Sequence, residues 1–339
     1  MKGLVRFVEL SSVRHETYPI RGGFKIARGA KTEAEVVVAE LTGTLADGRR
    51  VRGRGECVPY GRYGETVRGV TATVEAQADI VAEGLDRNWL QSHLPPGAAR
   101  NALDCAFWDL EAKAAGIPAW RLAGLSEPTP LTTAYTLSLD APDAMGRAAR
   151  DADAMPLLKL KLGGDDDDLA RVAEVRRNAP GGRLIVDANE SWTLARLEAL
   201  APRFAELGVA LIEQPLPAGE DEALAGFASP VPLGADESCH TAASLPQLLG
   251  RYQVVNIKLD KAGGLTEALR LRTAARRAGV EIMAGCMVCT SLAVAPALLM
   301  AQGAAFVDLD GPILLERDRP NGLTFEGARI LPLNSGFWG

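Results

Sequence analysis

The chain has 339 residues, 47% of them apolar and 24% charged, with a net charge of −6 at pH 7. This is an ordinary globular composition with length for a large core, and an acidic balance without a basic stripe speaks against a nucleic-acid partner. No apolar run approaches the roughly 20 residues needed to span a bilayer, so a membrane partner is not expected either.

The opening residues do not combine a charged start, an apolar block and a small-residue cleavage site. Five cysteines, an odd number scattered over the chain, suit a reducing cytoplasm. The length suggests two domains, or a barrel with an attached domain. Histidine occurs only at 15, 93 and 240, so the acid and base of any enzyme built on this chain are expected to be other residue types.

Residues 4–18 and 34–58 alternate as strands, with Asp47-Gly48 as a hairpin turn. Between them runs "IRGGFKIARGAKTE" (20–33), read as a glycine-rich, basic loop. From 65 to 115 the spacing becomes helical. "GAARNALDCAFWDLEAKAAG" is the clearest helix, closed by Gly116 with Pro118 beyond it. The first third is therefore α+β.

From about 130, short apolar strands alternate with helical stretches. The strands are expected at 131–139, 157–163, 183–189, 210–215, 231–238, 254–260, 281–286 and 305–310. Helical candidates are "DLARVAEVRRNA", "TLARLEALAPRFAELG", "TAASLPQLLGR" and "GLTEALRLRTAARRAG". Eight strands with helices between most neighbours point to a parallel βα barrel. The rival, an open doubly wound sheet, has no G-x-G-x-x-G after a first strand to support it. The final stretch, "RDRPNGLTFEGARILPLNSGFWG", reads as strand and turn returning to the first domain.

Chemistry in such a barrel gathers at the carboxyl ends of the strands. Those ends carry Lys159 and Lys161, then Asp187 and Asn189, Glu213, Asp236 and Glu237, Lys258 and Asp260, and finally Asp308 and Asp310. Asp187 to Glu213 is 26 residues and Glu213 to Asp236 is 23, each the length of one βα unit. Three consecutive strands can thus bring one carboxylate each to a shared point. Their repulsion calls for a cation, and all-oxygen ligation with open positions suits Mg²⁺.

Lys159 and Lys161 share one face of their strand. Lys161 and Lys258 fall on opposite sides of the barrel mouth, with a substrate between them. Burial and the neighbouring Lys159 ammonium are expected to lower the base lysine from its usual pKa near ~10.4. The metal would stabilise the enediolate of a carbon acid that has lost its α-proton.

The ordered set "KLK", "VDAN", "EQP", "ADES" and "NIKLDKAGG" resembles the enolase superfamily, in its muconate-lactonizing subgroup, over nearly the whole chain. Lysine bases working with Mg²⁺ are a known pattern of that superfamily. The resemblance implies an α/β fold: a modified (β/α)7β TIM-like barrel over 116–314, with an N-terminal α+β capping domain over 1–115 completed by about 315–339. It also implies Mg²⁺ on Asp187, Glu213 and Asp236, with Lys161 and Lys258 as the acid/base pair.

Four further stretches, "KIARGAKTEA", "GECVPYGRYGET", "GCMVCTSLA" and "DLDGP", are similar to the dipeptide epimerases, in particular those acting on L-Ala-D/L-Glu. By that likeness Asp308 and Asp310 hold the substrate's α-ammonium group, which two carboxylates suit. Arg28 points toward the substrate's acidic end, with Lys25 and Lys31 nearby. The first two stretches are the loops that close over the substrate. Cys289-Thr290 stands where many members carry Glu-Ser.

Simpler readings apply to several residues. "DDDD" (165–168) suits a solvated helix start. Cys286-x-x-Cys289 lacks a second pair for zinc and suits packing and pocket lining. His240 suits a cap or packing role. For Tyr60, Arg62 and Tyr63, loop packing and substrate contact are equally open.

The expectation is a Mg²⁺-dependent dipeptide epimerase for L-Ala-D/L-Glu, as in cell-wall peptide recycling; the sequence does not set its oligomeric state, although closed symmetric homo-oligomers are common for such enzymes. The alternatives are a hydrophobic or cationic dipeptide, o-succinylbenzoate synthase or cycloisomerase chemistry, and, from a different class, a non-catalytic ligand-binding barrel.

Overall fold

The computed structural model describes residues 5–333 and 336–339. Leu4 of the first expected strand and residues 334–335 of the last segment lie outside the described residues.

The chain opens with an antiparallel sheet of β1 (Val5–Ile26), β2 (Gly29–Leu45) and β3 (Arg50–Cys57), in that order. The segment 20–33, read as a loop from its glycines, is in fact a hairpin continuing β1 and β2. Lys25 pairs with Ala30 and Ile26 with Gly29. Gly22 and Gly23, at φ 67° and 80°, fall where the register shifts between Pro19 and Phe24. They form an irregularity within the ladder rather than ending it. The tip of the hairpin is Ala27-Arg28.

Helices α1 (Val67–Glu75), α2 (Ala78–Ala82), α3 (Arg87–His93) and α4 (Ala98–Ala115) follow. Gly116, at φ 65°, ends α4 in the left-handed conformation that glycine adopts most cheaply. Helix α4 lies on the sheet so closely that Gly53 and Gly55 have no room for a side chain. After the short α5 (Ala119–Leu122), the expected strand 131–139 divides in two. β4 (Leu131–Thr132) pairs with β14 (Arg329–Ile330), which itself pairs with β13 (Phe325–Glu326). β5 (Tyr135–Leu137) begins the main sheet.

That sheet runs through β6 (Leu157–Lys161), β7 (Arg183–Asp187), β8 (Val209–Glu213), β9 (Leu233–Ala235), β10 (Val254–Lys258), β11 (Glu281–Gly285) and β12 (Phe306–Asp308) in chain order, all parallel. The Ala134 N–H donates to the Val307 carbonyl at 2.7 Å and links the two ends of the sheet. The outer helices are α6 (Pro142–Asp151), α7 (Asp168–Asn178), α8 (Leu194–Glu206), α9 (Leu245–Leu248), α10 (Leu259–Ala262), α11 (Leu265–Arg277), α12 (Ser291–Ala301) and α13 (Gly311–Leu314). The expected helix at 241–251 shrinks to α9.

The strand alternation sorts the residues by depth. Leu158, Leu160 and Leu162 face outward into the large core with Val172 and Val175 of α7. The inward positions form layers. Leu157, Ile185, Leu211, Val254, Met283 and Phe306 pack as an apolar floor. One step along each strand, Lys159, Asp187, Glu213, Asn256 and Asp308 replace them with polar groups. The side-chain period of two thus produces a dry base beneath a charged mouth.

The end of the chain touches the capping sheet and α4. Trp338 Nε1 donates to the Arg54 carbonyl at 3.0 Å, and the Gly339 N–H donates to Asp109 Oδ1 at 2.7 Å. Among the described residues no helix is long and apolar enough to cross a membrane.

Candidate active site

A cavity of about 370 Å³ opens at the carboxyl ends of the barrel strands and is roofed by the β1–β2 hairpin and residues 58–63. Register places its acidic residues side by side: Lys161 is level with Asp187, and Asp187 with Glu213. Asp187, Glu213 and Asp236 are buried, and one carboxylate oxygen from each lies within 4.8 Å of the others. Among the described residues this is the one cluster suited to a metal ion.

Lysines surround the cluster. Lys159, 1% exposed, has Glu213 Oε2 at 2.7 Å, Asp308 Oδ2 at 2.8 Å and Asp187 Oδ2 at 3.4 Å. Lys161 Nζ donates to Asp187 Oδ2 at 2.5 Å, and Lys258 Nζ to Asp236 Oδ2 at 2.7 Å. Lys261, which sequence reasoning did not single out, donates to Asp236 Oδ1 at 2.6 Å. A buried charge without a partner would be costly, so cations and anions must be buried together. This explains two lysines on one face of an apolar strand.

The local fields follow. Burial favours the neutral form of every group here, yet Lys161 and then Lys159 bring the Asp187 carboxyl down to about 2. Lys258, followed by Lys261, holds Asp236 well below the usual range. Burial dominates at Glu213, reinforced by Asp187, and lifts its carboxyl to about 7. Burial also pulls Lys159 down, but Asp308, Glu213 and Asp187 outweigh it and hold the ammonium well above its ordinary value. At Lys258, burial and Lys159 act in the expected downward direction, and Asp236 overrides them, so its pKa is raised.

The donor set fits a hard divalent cation: three buried carboxylates converge, and no sulfur or imidazole joins them. Glu213 Oε2 accepts no hydrogen bond in its buried position, although Lys159 Nζ stands 2.7 Å away. The contact is a buried ion pair. Asn256 Nδ2 donates to Glu213 Oε1 at 2.6 Å and orients the carboxylate. Asn189 and Glu190 (φ 46° and 69°) and Gln214 (φ 37°) take left-handed backbone just beyond Asp187 and Glu213. These strained residues turn the chain sharply at the strand ends.

Asp308 and Asp310 both line the cavity. Asp308 Oδ1 is buried without a hydrogen bond. Asp310 Oδ2 accepts from the Thr136 N–H at 2.7 Å, and burial, then Asp308, lifts its carboxyl to about 7. Cys286 lies on the cavity wall. Cys289 sits behind it, fully buried, where a Cβ added to Gly311 would stand 3.1 Å from its sulfur.

Arg28 reaches the wall but is engaged by protein groups, notably Glu237 at 2.6 Å and Glu190 at 3.0 Å. Arg62 pairs with Glu190, and Tyr63 packs edge-on against His240 with centroids 4.8 Å apart. His240 Nε2 lies 3.0 Å from the Glu237 carbonyl, a packing position. Asp165–Asp167 are exposed, but Asp168 is buried and accepts the Gly163 and Gly164 N–H groups and Trp192 Nε1. It organises a loop as well as starting α7.

Glu56 was also missed. Its buried carboxylate receives the Thr290 N–H at 2.8 Å and Arg319 Nη2 at 2.7 Å. It therefore joins the end of β3 to the turn before α12. Partners 234 and 263 residues distant leave no local sequence signal.

The family described as mandelate racemase / muconate lactonizing enzyme, N-terminal domain, matches residues 9–124, and that described as enolase C-terminal domain-like matches residues 143–321. The L-Ala-D/L-Glu epimerase of Escherichia coli (strain K12) is 46% identical over 322 residues, 94% of this chain and 98% of that protein. An N-acetyl-D-glutamate racemase of a Pseudoalteromonas species is 48% identical over 293 residues, covering 85% and 91%. A crystal structure from Agrobacterium tumefaciens superposes with a TM-score of 0.92 at 50% identity, covering 98% and 99% of the two chains. It is described as an enolase family member with homology to dipeptide epimerases, with bound sodium and L-Ala-L-Glu. With both halves matched and relatives of this identity along most of its length, the chain belongs to the mandelate racemase / muconate lactonizing enzyme family of the enolase superfamily, as an isomerase of the racemase and epimerase class.

Proposed function

We propose that the chain is a Mg²⁺-dependent dipeptide epimerase that interconverts L-Ala-L-Glu and L-Ala-D-Glu by a two-lysine proton transfer at the second residue's α-carbon. The observation that carries this reading is the placement of Lys161 and Lys258. They end β6 and β10, which have three strands between them around either side of the eight-stranded barrel, with the acidic triad at the same mouth. The Escherichia coli and Agrobacterium tumefaciens relatives supply the substrate class.

A cation held by Asp187, Glu213 and Asp236 would supply positive charge to the substrate carboxylate and make the α-proton acidic. The protein's own groups do the rest. The lysine on one side, once neutral, takes the α-proton. The lysine on the other side, still an ammonium, delivers a proton to the opposite face of the carbon. Lys159 stays charged and holds Asp308 and Glu213 in place. Asp308, with one oxygen lacking a hydrogen bond, accepts the substrate's α-ammonium group beside Asp310. Arg28 and Cys286 contribute to the walls, and Cys289, expected to line the pocket, is packed behind them. All five cysteines are unpaired thiols, in keeping with a reducing cytoplasm.

A second reading is racemisation of an N-acylglutamate, as the Pseudoalteromonas relative's name suggests. It keeps the lysines and the triad and changes only the amino end. The carboxyl of Asp310, lifted to about 7, is able to donate a hydrogen bond to an acyl oxygen.

The test is incubation in D₂O with Mg²⁺, over L-Ala-L-Xaa dipeptides and N-acetylglutamate, followed by mass spectrometry and polarimetry. Deuterium at the α-carbon with loss of rotation, fastest for Xaa = Glu, is the expected result. Lys161→Ala and Lys258→Ala should each lower inversion by about 10²–10⁴-fold. Near-full activity in either variant refutes the two-base mechanism.

A further inference from the structure

The two lysines are fixed in place by different parts of the chain. Strand β10 pairs with β11 along its full length, Val254–Lys258, but with β9 only at Val254 and Val255. Its last residues, which carry Lys258, therefore lack a strand partner on the β9 side. Lys261 closes part of that gap. Its ammonium donates to the Asn256 carbonyl at 2.9 Å and to Asp236 Oδ1 at 2.6 Å. Lys261 stands on α10, the single turn that follows Lys258, so this hold depends on where that turn is fixed.

Helix α4 of the capping domain fixes it. Asn101 Nδ2 donates to Asp260 Oδ1 at 2.8 Å. Arg100 donates through Nη2 to the Ala262 carbonyl at 2.6 Å and through Nε to the Gly263 carbonyl at 3.1 Å. Asp104 Oδ2 accepts the Thr266 N–H at 2.9 Å, at the start of α11. None of the three α4 side chains is more than 4% exposed, so a partner lost here is not replaced by water. The fit is close. A Cβ on Gly263 would stand 2.4 Å from Arg100 Nε, and one on Gly264 2.5 Å from the Asp104 Cβ. Both glycines also take positive φ, 78° and 110°, which other residues adopt at a cost. The pair of glycines after Lys261 is thus moulded to α4.

Barrel groups hold the loop after Lys161. The Leu162 N–H donates to the Asp187 carbonyl at 3.0 Å, and the Gly163 and Gly164 N–H groups donate to Asp168 at 2.9 Å each. The cap meets Lys161 through the Phe24 ring, whose centre lies 5.8 Å from the ammonium, a contact without a hydrogen bond.

We propose that Arg100, Asn101 and Asp104 are positioning residues for Lys258 and not for Lys161, so that the capping domain governs proton transfer on one face of the substrate carbon. This rests on the two-lysine reading of the site. The clasp joins backbone to backbone across the two domains, and it begins two residues beyond Lys258. Loosening it shifts the end of β10 and moves one ammonium relative to the substrate, while β6 stays anchored in the barrel.

The experiment starts separately from L-Ala-L-Glu and L-Ala-D-Glu in D₂O with Mg²⁺ and reads α-deuterium in the remaining starting epimer. A base that still works exchanges the proton of the epimer facing it, even when inversion fails. Arg100→Met should lower exchange about 10- to 100-fold for one epimer, the scale of a small misplacement of a reacting group, and leave the other within about twofold. The suppressed epimer should be the one that Lys258→Ala suppresses. Arg100→Lys, which keeps a charge for one carbonyl, should recover part of the loss. Asp104→Ala, which frees the Thr266 N–H, repeats the test from the other end of the clasp if Arg100→Met does not fold. Val74→Ala, a buried change in the cap core on α1, should leave the ratio of the two exchange rates unmoved. Equal losses for both epimers in Arg100→Met and Asp104→Ala, or suppression of the epimer that Lys258→Ala spares, overturn the proposal and leave the function standing. Wild-type protein that exchanges neither epimer refutes the function itself.

Discussion

Replacing Gly55 with alanine should unseat the capping sheet from helix α4, and the structure sets the size of the effect. A Cβ at Gly55 would meet the Ala102 carbonyl oxygen at 2.0 Å and the Ala106 nitrogen at 2.7 Å. Ordinary contact begins at 3.4 Å, so β3 and α4 must part by about 1.4 Å. Both obstacles are backbone atoms of one helix, so no side chain can swing away. The cost should lie at the upper end of the overpacking range, about 3 kcal/mol.

The shift would also reach the site. Glu56 follows directly and anchors Thr290 and Arg319. Val58 is tied to Asp260 at 2.9 Å, and the chain then enters Tyr60 and Arg62 at the cavity mouth. Urea denaturation followed by tryptophan fluorescence measures the first effect, and KM for the dipeptide measures the second. Gly61→Ala is the control, since nothing lies within 4 Å of its added Cβ. A Gly55→Ala protein within about 0.5 kcal/mol of wild type, the range typical of neutral surface changes, would show that the close approach does not constrain the cap.

Two other outcomes are expected. Asp308→Asn should reduce turnover of L-Ala-L-Glu relative to N-acetylglutamate by about 10- to 100-fold, the value of one charge-assisted hydrogen bond to an ammonium group. Equal losses on both substrates would remove the ammonium-holding role. Stability should fall as pH rises from about 4 to about 7, because burial lifts Asp260 to about 7 and Asp104 to about 6 where the cap meets the barrel. The folded chain then binds protons that the unfolded chain has released, so this contribution is full below the unfolded carboxyl pKa near ~3.9. It declines by up to about 1.4 kcal/mol per pH unit for each group. Asp260→Asn should flatten the profile in urea melts across this range, and an unchanged slope would refute the assignment.

Much of the barrel was legible because six of its eight strands are short apolar runs that end in, or run directly into, a charged residue, and because one βα unit separates the carboxylates of β7, β8 and β9. Period two along β6 dictates that Lys159 and Lys161 share a face, and that their leucine neighbours share the other. Helix α12 shows the limit of such reading. All eleven of its residues are buried, so it carries no amphipathic period to recognise. The hairpin at 20–33 was hidden for another reason: glycine signals a break, and only pairing between Phe24–Ile26 and Gly29–Lys31 shows that the ladder continues.

The sequence by itself determined which residue types stand at the strand ends, and hence the acidic triad, the lysines and the family. Tertiary structure alone decided who pairs with whom. Lys261 joins Asp236, Glu56 joins Arg319, and Arg28 is spent on Glu190 and Glu237. Charge pairing depends on distances of a few ångströms between residues far apart in the chain, and local sequence spacing carries no record of those distances.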